Sequence, residues 1–274
     1  MTTTDSYTTS LKQIPSLAKI LMMPSTSSDT TQNKKNSILT IVDYREREEQ
    51  LSKLREEMAE IVKEQRATNY AKAGRWIENN LSESYVKSHQ DSLSDQQYES
   101  KLWMVEEIAN LGSKFDYTEP CHIEVVGSWF GWPLLEYIDF AFPNIKQIDC
   151  YDKDELCHPV FAQYKNMFEP KYPIHQFGDW FARSDVRRRQ VIINTSGEHM
   201  PWIAQRRNFF KGNPLVIVMS NDYYDGEGHT HCVPDMMELM RQQELGVTYY
   251  TGTRSMQTYN RFMVIGRMHA ESTN

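Results

Sequence analysis

From His122 onwards, short apolar runs alternate with stretches in which apolar residues recur every three or four positions. Seven runs have the length and composition of β-strands, at residues 122–127, 145–152, 173–177, 189–195, 214–221, 247–253 and 261–267. Helical stretches lie between most of the first six, at 132–142, 158–168, 200–210 and 234–246. This alternation predicts an α/β fold in which a parallel sheet is covered by helices on both faces.

The last two strands differ from the others in their connection. Only the segment RSMQTYN separates them, and it is too short for the helical crossover that parallel strands require. The chain is therefore predicted to close its sheet with an antiparallel strand pair.

The region before the first strand has a helical pattern. Ser94 followed by Gln97 forms a capping-box start, and Gly112 is a suitable C-terminal stop, so a long helix is predicted between them. Its inward face is formed by Tyr98, Leu102, Val105 and Ile108. The α/β domain is accordingly predicted to span residues 94–274.

The N-terminal part of the chain divides into two regions. Residues 1–42 are rich in Thr and Ser and have little apolar periodicity, which predicts a flexible arm. Residues 43–93 are predicted to form a helical extension. One apolar stripe with helical spacing lies within it, at Leu51, Leu54, Met58 and Ile61. This stripe either packs on its own domain or recruits another subunit.

The composition argues against a membrane-spanning, secreted or disulfide-rich protein. The chain has 274 residues, and no apolar run approaches the roughly 18–20 residues that span a bilayer. The N-terminus lacks the pattern of a secretory signal, and four cysteines are too few for a disulfide scaffold. These features predict a cytoplasmic protein with free thiols. The net charge of −7 argues against bulk electrostatic affinity for nucleic acid.

The segment from Glu124 to Glu155 reads as strand, glycine turn, helix, strand and acid. The loop VVGSWFG places Gly127 and Gly131 after the first strand, and Asp152 ends the second. Glycine allows a ligand to approach the backbone closely, and a helix N-terminus presents free amides. Taken alone, the two glycines also fit a tight strand-to-helix turn.

This layout resembles the class I S-adenosylmethionine-dependent methyltransferases, and most closely the divergent methyltransferase-like proteins of bacterial viruses. The resemblance covers roughly Ser94 to Arg267. It rests on the order of strands, helices and loops more than on exact sequence motifs. It implies a Rossmann-like seven-stranded sheet with the seventh strand inserted antiparallel. It also implies S-adenosylmethionine as the cofactor.

The resemblance also implies a role for single residues at the strand ends. The glycine-rich loop would contribute Gly127, Ser128, Trp129 and Gly131 to cofactor binding. Asp152 would accept the ribose hydroxyls, and Asp179 would meet the adenine amino group. Trp180 or Phe177 would stack on the adenine ring. Asn194, at the end of the fourth strand, would face the methionine end and the acceptor.

Two positions depart from the family pattern. Trp129 replaces the middle glycine of the loop, and it either forms an aromatic wall beside the sulfonium or fills the cofactor pocket. Glu124 lies one position earlier than the usual acid of the first strand, so strand alternation points it to the other face of the sheet.

The segment NTSGEHM after the fourth strand supplies the candidate catalytic residues Asn194, Glu198 and His199. His199 can act as a base near neutral pH. Glu198 either holds an amine acceptor or complements the dipole of the following helix. Methyltransferases that act on base amino groups usually show Asn/Asp-Pro-Pro-aromatic here, and Asn-Thr-Ser-Gly disfavours that substrate class.

The loop after the fifth strand, SNDYYDGEGHTHCV, is rich in polar and ligand-type side chains. Acceptor binding is predicted for Asp222, Tyr223 and Tyr224. His229, His231 and Cys232 raise the alternative of a zinc or other divalent site. No C-x-x-C or H-E-x-x-H spacing supports a metal, so none is predicted.

Two functional hypotheses follow. The first is a methyltransferase whose unknown acceptor is a small molecule or protein rather than nucleic acid. The second is a catalytically silent structural or interaction protein, such as a phage assembly component, recruited through its N-terminal arm and helix at 43–66. Two basic runs, with Arg183 and Arg187 to Arg189 in the first and Arg206, Arg207 and Lys211 in the second, raise the alternative of phosphate binding. The first run lies at the start of the fourth strand, opposite the cofactor edge, and is interpreted as solvated.

Overall fold

The computed structural model describes residues 66–112, 119–185 and 187–269, together with the exposed helical positions Glu49, Lys53 and Glu56. The predicted arm at 1–42 and the apolar stripe from Leu51 to Ile61 lie outside the described residues.

Helices precede the sheet and connect its strands. A π-helical turn at Arg66–Tyr70 leads into α1 Ala71–Asn80, α2 Glu83–Ser92, α3 Asp95–Asn110, α4 Leu134–Ala141, α5 Cys157–Phe168 and α6 Met236–Gln243. Two 3₁₀ segments, Gly197–His199 and Ile203–Phe209, follow the fourth strand of the sheet. The predicted start of α3 is confirmed, because the Ser94 side chain accepts a hydrogen bond from the Gln97 amide. In the ranges described, no helix combines the length and apolarity needed to cross a bilayer.

The strands form one seven-stranded sheet. They are β1 Cys121–Val126, β2 Ile145–Tyr151, β3 Ile174–Phe177, β4 Val191–Asn194, β5 Leu215–Asn221, β6 Val247–Ser255 and β7 Asn260–Arg267. Their order is β3-β2-β1-β4-β5-β7-β6. The first five are parallel, and β7 is inserted antiparallel between β5 and β6. The predicted fold class and the closing antiparallel pair are therefore confirmed. A separate parallel ribbon joins Arg187–Arg188 to Phe210–Lys211.

The sheet has an apolar core on each face, because successive side chains of a strand point to opposite sides. Ile123 and Val125 of β1 belong to the larger core, which the helices from α1 to α5 cover. Val126 belongs to the other core, which includes Leu239 of α6 and Ile203. Tyr70, just before α1, packs into the larger core against Tyr164 of α5.

The four cysteines are free thiols, as predicted. Cys150 and Cys157 are buried, and the other two are partly exposed. Burial raises the pKa of the Cys121 and Cys232 thiols to about 11, so both are protonated at neutral pH.

The interpretation of the basic run around Arg183 to Arg189 as solvated is wrong for Arg189. This side chain is buried and forms an ion pair with Glu124, whose Oε2 accepts from Arg189 Nε at 2.9 Å. The guanidinium also lies over the rings of Trp180 and Phe210. Glu124, which alternation places away from the cofactor side, supplies the buried charge that holds the arginine inside.

Candidate functional site

The carboxyl ends of the parallel strands meet at one edge of the sheet. Val126, the last residue of β1, pairs with Tyr151 of β2 and with Asn194 of β4. Tyr151 pairs in turn with Phe177, and Asn194 with Val218. After β1 the chain adds β2 and β3 on one side of the sheet, and after β4 it adds β5 on the other side. The topological switch point therefore lies between β1 and β4. In open α/β sheets ligands bind in the crevice at this point.

The loop after β1 has a left-handed backbone at three positions. The φ angles are +64° at Gly127, +50° at Trp129 and +82° at Gly131. Trp129 thus has the backbone conformation that a middle glycine would adopt without cost, whereas a side chain in this region costs roughly 1–2 kcal/mol. The loop keeps the path of a glycine-rich turn although its middle residue is a tryptophan.

Asp152, just after β2, is hydrogen-bonded to this loop. Its Oδ2 accepts from the Trp129 amide at 2.7 Å, and its Oδ1 accepts from the Asp154 amide at 3.0 Å. Burial raises the pKa of Asp152, and the two amide hydrogen bonds oppose that effect. Each carboxylate oxygen still has a lone pair for a further donor.

The two outer glycines make room for the chain's own side chains. A Cβ at Gly127 would lie 2.4 Å from Met200 Cε and 3.1 Å from Ser196 Cβ. A Cβ at Gly131 would lie 2.8 Å from the Phe161 ring. At both positions the positive φ already disfavours any other residue, and the second glycine is also packed closely against the Phe161 ring of α5.

The indole of Trp129 points towards α2. It stacks on Phe130, with ring centroids 5.3 Å apart, and its Nε1 donates to Ser88 Oγ at 3.2 Å. The next residue of α2, His89, is buried and hydrogen-bonds through Nε2 to the Tyr164 hydroxyl of α5. Helix α2 is thus held beside the loop after β1, with the indole between them.

The residues after β3 divide into exposed and buried positions. Phe177 is 41% exposed and stacks on Tyr151, and Asp179 is exposed, with Oδ1 accepting from the Phe181 amide. Trp180 is only 3% exposed, and its Nε1 donates to Glu124 Oε2 at 2.9 Å. The structure therefore corrects the prediction that Trp180 is available to stack on a ligand; Phe177 offers its ring instead.

Asn194 and Glu198 are both buried at the end of β4. Asn194 Oδ1 accepts from the Ser196 amide at 2.9 Å and closes the turn after the strand. Glu198 Oε1 accepts from Arg261 Nη1 at 2.7 Å, and Arg261 also donates to the Thr195 carbonyl. Burial raises the pKa of Glu198, but the charges of Arg261 and His199 and the hydrogen bonds to the carboxylate together outweigh burial, so the pKa is lowered. This carboxylate is therefore ionised and already paired with a cation of β7.

His199 lies next to His229 of the loop after β5. Their ring centroids are 4.5 Å apart and the ring planes are nearly perpendicular. His199 Nδ1 lies 3.1 Å from the Gly228 carbonyl oxygen, and His229 Nδ1 lies 2.6 Å from the Tyr223 carbonyl oxygen. Burial lowers the pKa of His199, and His229 lowers it further against the opposing effect of Glu198. His199 is thus neutral at pH 7.

Two residues near Glu198 are absent from the sequence predictions. Arg261 is a charged residue inside the apolar strand NRFMVIGR, and such a position requires a buried acidic partner. Lys101 of α3 is buried, and its Nζ donates to Gln97 Oε1. Burial, with a further contribution from Arg261, lowers the pKa of Lys101 to about 7. A single lysine in a helical sequence does not indicate that its side chain will be buried or its pKa lowered.

The three predicted acceptor residues have different environments. Asp222 accepts from the amide and the side chain of Asn260, at 2.7 and 2.8 Å, and so ties the loop after β5 to the start of β7. Tyr223 and Tyr224 are exposed, and Tyr223 stacks on Tyr259. Asp222 has a structural role, whereas the two tyrosines present their rings to solvent.

Comparisons with known proteins give structural likeness only. The sequence matches no protein-family model and no curated protein. The magnesium protoporphyrin IX methyltransferase from Synechocystis, solved with bound SAM, is 13% identical, with a TM-score of 0.48 over 77% of this chain and 97% of that one. The N-methyltransferase NodS from Bradyrhizobium japonicum is 10% identical, with a TM-score of 0.46 over 65% and 98%.

A SAM-dependent methyltransferase from Aquifex aeolicus is 13% identical, with a TM-score of 0.44 over 59% of this chain and 89% of that one. Since function resides in sites rather than in folds, this chain's own residues at the strand ends must carry any functional conclusion.

Proposed function

We propose that this protein binds S-adenosylmethionine at the switch point and transfers its methyl group to a small-molecule or protein acceptor. The observation that carries the proposal is the link between the left-handed loop after β1 and the carboxylate after β2. The Trp129 amide and Asp152 Oδ2 make this link at 2.7 Å. A glycine-type loop and an acid at adjacent strand ends suit a ligand with a nucleoside and a charged end.

The residues present fit the adenosine half of the cofactor. Asp152 retains a lone pair on each oxygen, which suits two adjacent ribose hydroxyls. Phe177 offers a partly exposed ring for stacking. Among the described residues other than its two chain neighbours, no atom lies within 4 Å of a Cβ built on Gly178. The buried Ser128 hydroxyl has no hydrogen-bond partner among the described residues, so it can satisfy a polar atom of a ligand.

The methionine half would lie towards β4. Here Asn194 and Ser196 shape the turn, and Met200 lies against Gly127. When bound, S-adenosylmethionine supplies an electrophilic methyl group on a sulfonium. The chain must then align the acceptor and remove a proton where the acceptor carries one. His199 suits the second task because it is neutral at pH 7.

The acceptor side of the proposal rests on Tyr223 and Tyr224. Both rings are exposed, and the Tyr223 ring contacts His229 edge-to-face at 5.6 Å. Exposed aromatic rings bind flat or apolar groups of a small molecule or a protein side chain. The net charge of −7 and the burial of Arg189 favour these acceptors over nucleic acid.

Calorimetric titration with S-adenosylhomocysteine tests the proposal directly. Wild-type protein should bind the ligand in the micromolar range, and Asp152→Ala should weaken binding at least ~10-fold because charge-assisted hydrogen bonds to the ribose are lost. Glu155→Ala is the matched control, since Glu155 is an exposed acid three positions further on. Its affinity should equal that of the wild type.

Absence of heat at about 1 mM ligand would overturn the proposal, since this corresponds to only about −4 kcal/mol of binding free energy. Equal affinities of Asp152→Ala and wild type would remove Asp152 from the site. Thermal unfolding of each variant shows whether a loss of binding reflects a loss of fold.

A further inference from the structure

We propose that Glu198, His199 and His229 form a binding site for a divalent first-row transition-metal ion, with Zn²⁺ the best match. One ligand atom from each residue lies within 4.8 Å of the other two. A tetrahedral ion with bonds near 2.1 Å needs ligand atoms about 3.3–3.5 Å apart, so small side-chain rotations close the site.

The hydrogen bonds of the two histidines prepare them as ligands. A carbonyl oxygen only accepts, so the Gly228 carbonyl requires the proton on Nδ1 of His199, and the Tyr223 carbonyl requires it on Nδ1 of His229. The Nε2 atom of each ring therefore carries a lone pair. Metal-binding histidines in proteins commonly donate their second ring N–H to a backbone carbonyl in this way.

Glu198 provides an independent observation that points to a ligand. The residue is 4% exposed, and its Oε2 is buried without a hydrogen-bond partner among the described residues. Arg261 engages only Oε1. A buried carboxylate oxygen without a partner is costly, and a cation bound to it removes that cost.

The donor set decides the kind of ion. Two imidazole nitrogens and one carboxylate oxygen suit Zn²⁺ and its neighbours, whereas Mg²⁺ prefers oxygen ligands and retains water. Cys232 lies near His229, but its Sγ is 3.6 Å from Nδ1, the nitrogen that is hydrogen-bonded to the Tyr223 carbonyl. The thiol therefore lies on the Nδ1 side of the ring, and we do not include it among the ligands. Arg261 places a positive charge close to the ion, so we expect micromolar rather than nanomolar affinity.

Three protein ligands leave a coordination position open. The site lies in the segments that follow β4 and β5, and the exposed ring of Tyr223 contacts His229. Resting on the proposed function, an ion here would hold an oxygen or nitrogen atom of the acceptor at the methionine end of the cofactor. In the metal-bound form the Nε2 lone pair of His199 is taken up by the ion, so the ion replaces His199 as the group that promotes loss of the acceptor proton. Binding of the ion itself does not depend on that role.

The experiment is calorimetric titration of chelator-treated full-length protein with Zn²⁺, and separately with Mg²⁺. Wild-type protein should bind one equivalent of Zn²⁺, and His229→Ala should weaken binding at least ~10-fold. His231→Ala is the matched control, because His231 lies in the same loop but its Nδ1 pairs with Thr230 Oγ1. Its affinity should match that of the wild type, and Mg²⁺ should not compete.

The proposal is overturned if wild-type protein takes up no Zn²⁺, or if His229→Ala and His231→Ala bind it equally. His199→Ala gives a second readout, since it should lose the ion to the same extent. S-Adenosylhomocysteine titration of the metal-free protein keeps the two proposals apart. S-Adenosylhomocysteine can bind to the metal-free protein, and Zn²⁺ can bind to a protein that does not bind S-adenosylhomocysteine. Failure of one proposal is therefore distinguishable from failure of the other.

Discussion

The amide of Trp129 donates a 2.7 Å hydrogen bond to Oδ2 of Asp152, and this contact joins the ends of β1 and β2. The donor is a backbone group, so the contact depends on the left-handed path of the loop and not on the indole. The tryptophan side chain is directed instead to Ser88 of α2. A glycine-type loop is thereby combined with an aromatic side chain that contacts the neighbouring helix.

Trp129→Gly should be more stable than Trp129→Ala. Both variants lose the indole, but only glycine adopts a φ of +50° without strain. The difference in the free energy of unfolding should be about 0.5–1 kcal/mol in favour of glycine, after its larger chain entropy is counted. Urea unfolding of the two variants measures it. An alanine variant at least as stable as the glycine variant would contradict the strain at this position.

Arg261→Met should lower the free energy of unfolding by about 3–5 kcal/mol, because it leaves the buried Glu198 carboxylate unpaired. The double variant Glu198→Leu with Arg261→Met should lose much less, since no buried charge remains. Urea unfolding of Arg261→Met, Glu198→Leu and the double variant measures the coupling between the two residues. Arg241→Met removes an exposed ion pair with Glu238 and should have little effect. Additive losses would show that the two buried groups do not act as a pair.

Lys101→Met should stabilise the protein more at pH 7 than at about pH 9.5. The folded pKa of Lys101 is about 7 and the ordinary value is 10.5, so the folded state binds this proton more weakly than the unfolded state. The resulting cost is absent above pH 10.5, grows as the pH falls to about 7, and is constant below that. Urea unfolding at both pH values measures the gain, and Lys87→Met controls for the loss of an exposed lysine. A gain independent of pH would mean that Lys101 keeps an ordinary pKa.

His89→Gln should reduce the acid sensitivity of the protein. Burial lowers the pKa of His89 from 6.5 to about 4, so its neutral form stabilises the fold above pH 6.5, and this contribution is lost as the pH falls towards 4. Between pH 7 and pH 5 the wild type should therefore lose about 2 kcal/mol more unfolding free energy than the variant. Urea unfolding at the two pH values checks this. Parallel losses in the two proteins would exclude His89 as the sensitive group.

Periodicity in the chain predicted the order of strands and helices, except that the helical stretch predicted at 200–210 forms a 3₁₀ segment at Ile203–Phe209 rather than an α-helix. The seven strands lie where the apolar runs are, since a parallel strand buried on both faces reads as a continuous apolar segment. The same reasoning placed Gly127, Asp152 and Asn194 at one edge, because the carboxyl ends of parallel strands meet there. The short connection between β6 and β7 required the antiparallel pair.

The sequence by itself therefore determined the architecture and the strand ends at which polar residues gather, because both follow from local periodicity and connection length. Only the tertiary structure decided what each side chain meets there. The Trp180 side chain is buried and donates to Glu124. Glu198 pairs with Arg261 of β7, and His199 contacts His229 of the loop after β5. Such pairings depend on packing between distant segments, and burial, which sets the pKa of Lys101, exists only once those segments have come together.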